Sequence, residues 1–250
     1  MKFKTAIAAA SLTALSAAGI ATGAAAADGQ LDWKYTDGMT AERWSNANSD
    51  YAACDAGAMQ SPIELDQASA IGDVKLSAAY GNAAGKLAIG THKVQVDTPT
   101  GQGMISGDRL FNLLQVHFHT PSEHAVSGKR YPLTAHLVHA TSDGTLGVLG
   151  IMFEAGAANP ALQNIVDAMP RGNGGDVTVD MSDMVPADLS VHRYMGSLTT
   201  PPCSENVNWH VAETVMTASP AQIAAFEGAL GMTARSLQPL NNRLLVAPSK

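Results

Sequence analysis

The sequence predicts a mainly β single domain, and three features of the chain point there. Short apolar runs recur from Leu76 to Phe153, sharp helix starts are few, and no Gly- or Pro-rich linker divides the chain. The runs Val94-Gln95-Val96, Leu113 to Phe118, Leu133 to Val138 and Leu146 to Phe153 are separated by Gly, Pro, Asp and Ser. Regular short runs with turn residues between them read as an antiparallel sheet. The helix starts are Asn159-Pro160 and Ser219-Pro220, each a capping residue before a proline suited to a first helical turn. After Ser219, the spacing of Ile223, Phe226 and Leu230 puts them on one face of a short helix. Gly172 to Asp176 reads as a surface loop.

The first 27 residues read as a secretory signal rather than as part of the fold: basic Lys2 and Lys4, a mostly apolar run from Ala6 to Ile20, and Ala25-Ala26-Ala27 before Asp28. Taking them from the 250 leaves 223, residues 28–250, enough for one large domain. Two of the 15 basic residues and none of the 22 acidic ones fall in the signal, so the mature charge is 13 against 22, or −9. An acidic surface argues against nucleic acid or anionic lipid as a partner. No other stretch is apolar enough to span a bilayer, so the expected location is the periplasm or the medium. In such a compartment the two cysteines, Cys54 and Cys203, are expected to pair, with two buried free thiols as the alternative.

Gln115-Val116-His117-Phe118-His119 carries the most chemistry. Residues two apart on a strand share a face, so His117 and His119 converge. Sixteen residues separate His119 from His136, and among them Ser127-Gly128-Lys129 is a plausible hairpin turn that returns the strand of His136 beside the first. Three neutral imidazoles suit Zn²⁺ and leave the fourth tetrahedral position open, as in catalytic sites. On spacing alone, ordinary hydrogen-bonded histidines remain the other reading. His124, His139, His192 and His210 read as non-ligating, His139 because it lies three residues from His136 and faces the other side of the strand.

At these residues the chain resembles the alpha carbonic anhydrases. The matching segments are Gln60-Ser61-Pro62-Ile63, the Gln115 to His119 pentapeptide, Ser122-Glu123-His124, His136-Leu137-Val138-His139, Gly147-Val148-Leu149-Gly150, Gly196 to Cys203 and Gln238 to Arg243, in the family's order. The resemblance implies a central twisted, mostly antiparallel sheet of about ten strands with short peripheral helices. It implies a Cys54–Cys203 bridge bracing the Thr199-Thr200-Pro201-Pro202 loop, and a zinc enzyme that hydrates carbon dioxide reversibly to bicarbonate through hydroxide on the metal. His117, His119 and His136 match the zinc ligands. Thr199 matches the residue that accepts a hydrogen bond from the hydroxide and donates one to a carboxylate, here Glu123, while its N–H is suited to stabilise developing oxygen charge. Thr200 matches a bicarbonate contact, and Val138, Val148, Leu198 and Trp209 match the apolar wall that a substrate as apolar as CO₂ requires; without the resemblance these four would read as ordinary core. His92 matches the proton shuttle, a role suited to a side chain that titrates near neutrality and reaches bulk water. Tyr35 matches the tyrosine that orders the water chain, and Gln95 a polar residue of the cavity.

Two departures stand out: Gly90 where the family often has asparagine, and Thr134 where a glutamate usually supports the third histidine. Thr134 shares a face with His136, and beside Gln115 it belongs to the layer behind the ligands. A binding module without catalysis is the main competing function, since the fold also occurs in relatives that lost zinc histidines; all three are present here. A zinc peptidase is disfavoured because no His-Glu-x-x-His helix occurs. Bacterial members often dimerise, so a homodimer is among the expectations.

Overall fold

The computed structural model describes residues 33–35, 41–99 and 101–249, and the expected signal segment lies outside them. Among the described residues thirteen strands form one sheet: β1 (Ala70–Ile71), β2 (Leu76–Ala79), β3 (Asn82–Gly90), β4 (Lys93–Asp97), β5 (Gly103–Ser106), β6 (Arg109–His119), β7 (Leu133–Ala140), β8 (Leu146–Ala155), β9 (Asp176–Asp180), β10 (Val191–Ser197), β11 (Glu205–Ala212), β12 (Met216–Ala218) and β13 (Leu245–Ala247). Three short helices flank it, α1 (Ala52–Ala56), α2 (Pro160–Ala168) and α3 (Pro220–Leu230).

The continuous path runs β1-β13-β10-β11-β8-β7-β6-β4-β3-β9, the about ten strands the resemblance implies. β12 attaches to β8, and β2 and β5 add a short antiparallel arm at β6. Most pairs are antiparallel, but β1–β13, β11–β8 and β12–β8 are parallel, so the sheet is mixed. Asp176, read as the end of a loop, opens β9.

Alternation along the central strands divides their side chains between two cores. On β7, Leu133, Ala135 and Leu137 enter the larger cluster, with Leu162 and Ile165 of α2 and Ile223, Phe226 and Leu230 of α3. Thr134, His136 and Val138 face the other way, where Val138 joins Val148, Met152, Tyr194 and Trp209. β7 is buried on both faces, so its polar residues Thr134, His136 and His139 lie inside the fold rather than on a solvated face. Both expected helix starts are present: Asn159 accepts from Leu162 N, and Ser219 with Gln222 forms a reciprocal capping box. The turn at Ser127-Gly128 is also formed, with φ of 51° and 74° and two 3.0 Å bonds between Val126 and Lys129.

Candidate metal centre

A β-bulge aims the histidines. Phe111 and Leu113 enter the large core, and so do Val116 and Phe118, although an unbroken two-residue period from Leu113 would send Gln115, His117 and His119 there instead. The register of β6 on β7 shifts between Leu113 and Gln115, and Leu114 is left 42% exposed. The extra residue rotates Gln115, His117 and His119 to the face opposite the large core. His117 then stands directly across from His136.

The three rings pack with centroids 4.8–5.2 Å apart, and one ligand nitrogen from each lies within 4.8 Å of the others. Hydrogen bonds set which nitrogen is free. His117 Nδ1 donates to Gln115 Oε1 at 2.9 Å, and His119 Nδ1 donates to the Thr233 carbonyl at 2.8 Å. A carbonyl oxygen only accepts, so both Nδ1 atoms carry hydrogen and both Nε2 atoms keep a lone pair. His119 Nε2 is buried with no hydrogen-bond partner, as expected of a ligand atom. His136 Nδ1 lies 3.7 Å from the Glu123 Oε2 that stands 3.5 Å from His119 Nε2, so these two nitrogens face a common point. Burial holds the pKa of His117 and of His136 well below the usual value, with neighbouring histidines adding to it. His117 and His136 are therefore held in the neutral state, the state that binds metal.

One short segment carries much of the support. After α3, Thr233 N and Oγ1 bond Thr120 O and N at 2.9 and 3.0 Å, Thr233 O holds His119, and Arg235 N donates to Glu123 Oε1 at 3.1 Å. The buried Arg235 guanidinium donates to Gln60 Oε1, Ser61 O and Cys54 O, tying the segment to α1. Neither Thr233 nor Arg235 was a sequence candidate. Thr233 acts through its carbonyl, which any residue supplies, and Arg235 has no charged neighbour in sequence that marks a buried role.

The remaining candidates fall around the triad. Val138, Val148 and Trp209 share one apolar cluster, Leu198 packs on it, and the Trp209 ring is 4.9 Å from that of His136. Thr199 is buried just beyond β10, and its N–H makes no hydrogen bond with the described residues. The implied Thr199–Glu123 bond is not made: Glu123 Oε2 has no hydrogen-bond partner. Thr200 O accepts from Cys203 N at 2.9 Å, closing the loop, and Cys203 is bonded to Cys54 as expected. Gln95 pairs in register with His117, its amide donating to Asp97. His92 is exposed at the β3–β4 turn, edge-on to Tyr35 at 6.3 Å. Burial and then the Glu123 charge push the Tyr35 phenol well up.

Thr134 does not meet the free nitrogen of His136. Its hydroxyl donates to Ile151 O at 2.9 Å, and His136 Nε2 is buried with no partner among the described residues. A threonine is too short to satisfy its neighbour strand's carbonyl and reach along its own strand as well. Three of the four non-candidate histidines have polar partners elsewhere: His124 with Tyr194 at 2.7 Å, His139 with Tyr80 at 2.8 Å and His210 with Ser106 at 2.9 Å.

Comparison with known proteins agrees with this geometry. The profile of the eukaryotic-type carbonic anhydrase family matches residues 39–248. The carbonic anhydrase of Nostoc sp. is 42% identical over 230 residues, 86% of each chain. Among solved structures, the alpha-carbonic anhydrase of Photobacterium profundum superposes with a TM-score of 0.79 at 36% identity, covering 86% of this chain and 99% of its own. That of Thermovibrio ammonificans, solved with the inhibitor sulfanilamide, also gives 0.79, at 34% identity and 86% and 98% coverage. With the sheet, the histidine triad and the sequence in agreement over most of its length, this chain belongs to the eukaryotic-type carbonic anhydrase family and is an enzyme of that family.

Proposed function

We propose that the chain is an exported zinc enzyme, residues 28–250 after loss of the signal, that interconverts carbon dioxide and bicarbonate. The observation that carries this is the triad's geometry and protonation pattern: His117 and His119 both hold hydrogen on Nδ1, which leaves each Nε2 a lone pair, and one ligand nitrogen from each of His117, His119 and His136 lies within 4.8 Å of the others. Such a donor set fits Zn²⁺ with one position open to water. Held by His117, His119 and His136, zinc would lower the pKa of a water to about 7, a value established on carbonic anhydrases themselves, and so would supply hydroxide at neutral pH.

The chain's own groups orient the reaction. Val138, Val148, Leu198 and Trp209 exclude water and offer CO₂ an apolar surface. In the working site Thr199 would accept a hydrogen bond from the nucleophile and turn its hydroxyl to donate one to Glu123 Oε2, the carboxylate oxygen that has no hydrogen-bond partner among the described residues. The free N–H of Thr199 meets oxygen charge as it develops, and Thr200 holds bicarbonate. His92 carries the released proton out past Tyr35 and Gln95, giving it to buffer. The Cys54–Cys203 bond fits an oxidising compartment, and no helix of the described residues is long and apolar enough to cross a membrane. The protein works as a monomer or homodimer on a small molecule, without nucleic acid.

The direct test is stopped-flow CO₂ hydration by the mature chain, with metal measured on the same sample. One zinc per chain, turnover above the buffer rate and inhibition by sulfanilamide are expected; a zinc-loaded sample at the buffer rate would reject the assignment. His92→Ala should slow turnover about 100-fold in dilute buffer, the low end of what a positioned acid–base group contributes, with imidazole restoring part of it. Parent-like turnover in dilute buffer would show that protons leave by another route.

Thr134 gives a separate expectation. Its hydroxyl is committed to Ile151, so His136 lacks the outer partner that fixes a ligand's tautomer and raises its basicity. Thr134→Glu should slow zinc loss to a chelator by about 10- to 100-fold, the range typical of outer-partner changes. Unchanged or faster loss would reduce Thr134 to a packing difference.

A further inference from the structure

His92 occupies the second position of the two-residue turn Thr91-His92 that joins β3 to β4, with Gly90 paired to Lys93 on either side and φ of 55°. From this turn its ring does not hang free. Nδ1 lies 2.6 Å from the carbonyl oxygen of Leu230, the last residue of α3. That carbonyl only accepts, so Nδ1 carries hydrogen and, in the neutral ring, Nε2 holds the lone pair. The bond also suits the helix, whose last-turn carbonyls lack intrahelical donors and carry the negative end of its dipole.

Gly231 aims the carbonyl. Its φ of 64° and ψ of −150° lie in a region open essentially to glycine, and its N–H returns to Glu227 O at 2.8 Å. A Cβ at Gly231 would stand 3.7 Å from His92 Nδ1, an ordinary contact, so a side chain there disturbs the backbone and not the ring directly.

We propose that the C-terminal turn of α3 is a positioning device for His92: it fixes the imidazole as the Nδ1–H tautomer, so that protons enter and leave through Nε2 alone. This rests on the reading of His92 as the relay. An arriving proton bonds to Nε2 and makes the imidazolium, while Nδ1–H stays on the Leu230 carbonyl; a buffer base then takes the proton from Nε2 and the neutral ring returns. A freely rotating ring can take a proton on one nitrogen and release the other. The tied ring does not, because the carbonyl is no base and loses its donor if Nδ1 gives up its hydrogen.

Long-range ¹H–¹⁵N correlation spectra of the labelled zinc enzyme, recorded with the ring neutral, read the tautomer directly, and His92→Asn assigns the signal by removing it. The expected result is Nδ1–H, whereas an unrestrained histidine side chain in water favours Nε2–H. An Nε2–H or averaged ring in the parent would overturn the proposal. Gly231→Ala should shift His92 toward the averaged pattern while retaining one zinc per chain, and an unchanged Nδ1–H tautomer there would remove the cap from the device. The spectra do not depend on turnover, so the two readings fail separately: an Nδ1–H ring in an enzyme whose His92→Ala form is fast in dilute buffer would overturn the relay and with it the proton route.

Discussion

His119→Ala is expected to abolish CO₂ hydration and zinc retention together, the largest effect of any single change in this protein. His119 is buried, its Nδ1 is held by Thr233 O, and its Nε2 makes no hydrogen bond with the described residues, which leaves it open to a metal. Alanine removes one of three ligands, and it also strips Thr233 O of its donor and leaves Glu123 beside a void. Changes one layer further out typically cost about 10- to 100-fold in metal affinity, so loss of the ligand itself should exceed that range. The contrast is His139→Ala. That histidine is equally buried, but it bonds Tyr80 on the far face of the strand, and burial lowers its pKa to about 4. Its loss leaves the Tyr80 hydroxyl unpaired and should cost about 1–3 kcal/mol of stability while zinc stays at one per chain. Metal analysis of both purified variants decides the matter. Equal zinc loss in the two would mean that the triad is not the metal site.

The part of the site legible in the sequence is the part built on strand periodicity. His117 and His119 share a face because they are two apart, and His139 faces away from His136 because it is three apart. The apolar wall was legible only through the family resemblance, since Val138, Val148 and Trp209 on pattern alone are ordinary core. What periodicity could not supply is which face the histidines take. That depends on the bulge at Leu114, and no residue there announces one, since neither Gly nor Asn occupies the position. The parallel contact of β11 with β8 was equally hidden, being a pairing between segments far apart in the chain.

The supports made by backbone atoms were illegible for a different reason. Leu230 O and Thr233 O hold His92 and His119, yet any amino acid offers the same carbonyl, so composition and motif carry no trace of it. Thr134 marks the opposite limit. Its position beside His136 was legible, but a hydroxyl can serve either the neighbouring strand or the ligand, and only the fold shows Ile151 receiving it.

Reduction of Cys54–Cys203 is expected to lower thermal stability substantially without dismantling the loop it closes. The bond joins residues 149 apart, and constraining so long a loop in the unfolded chain is worth on the order of 5 kcal/mol in the chain-entropy account, with 2–4 kcal/mol more typical of measurement. A loss of about 3 kcal/mol in a domain of this size corresponds to a fall in Tm of roughly 6–12 °C. Other bonds keep the folded geometry: Gln60 Nε2 donates to Cys203 O at 3.1 Å, Arg235 Nη2 donates to Cys54 O at 2.6 Å, and Cys203 N returns to Thr200 O at 2.9 Å. The loop bearing Thr199 should therefore persist in the reduced enzyme at temperatures well below its Tm, with hydration impaired far less than by loss of a ligand. Calorimetry of the oxidised protein, of the reduced protein and of a Cys54→Ser, Cys203→Ser double variant, each assayed for hydration, measures both effects. A Tm unchanged on reduction, or two free thiols in the mass spectrum of the exported protein, would remove the stabilising role. Loss of activity at a temperature where the reduced protein is still folded would mean that the bond, and not the Gln60 and Arg235 contacts, holds Thr199 in place.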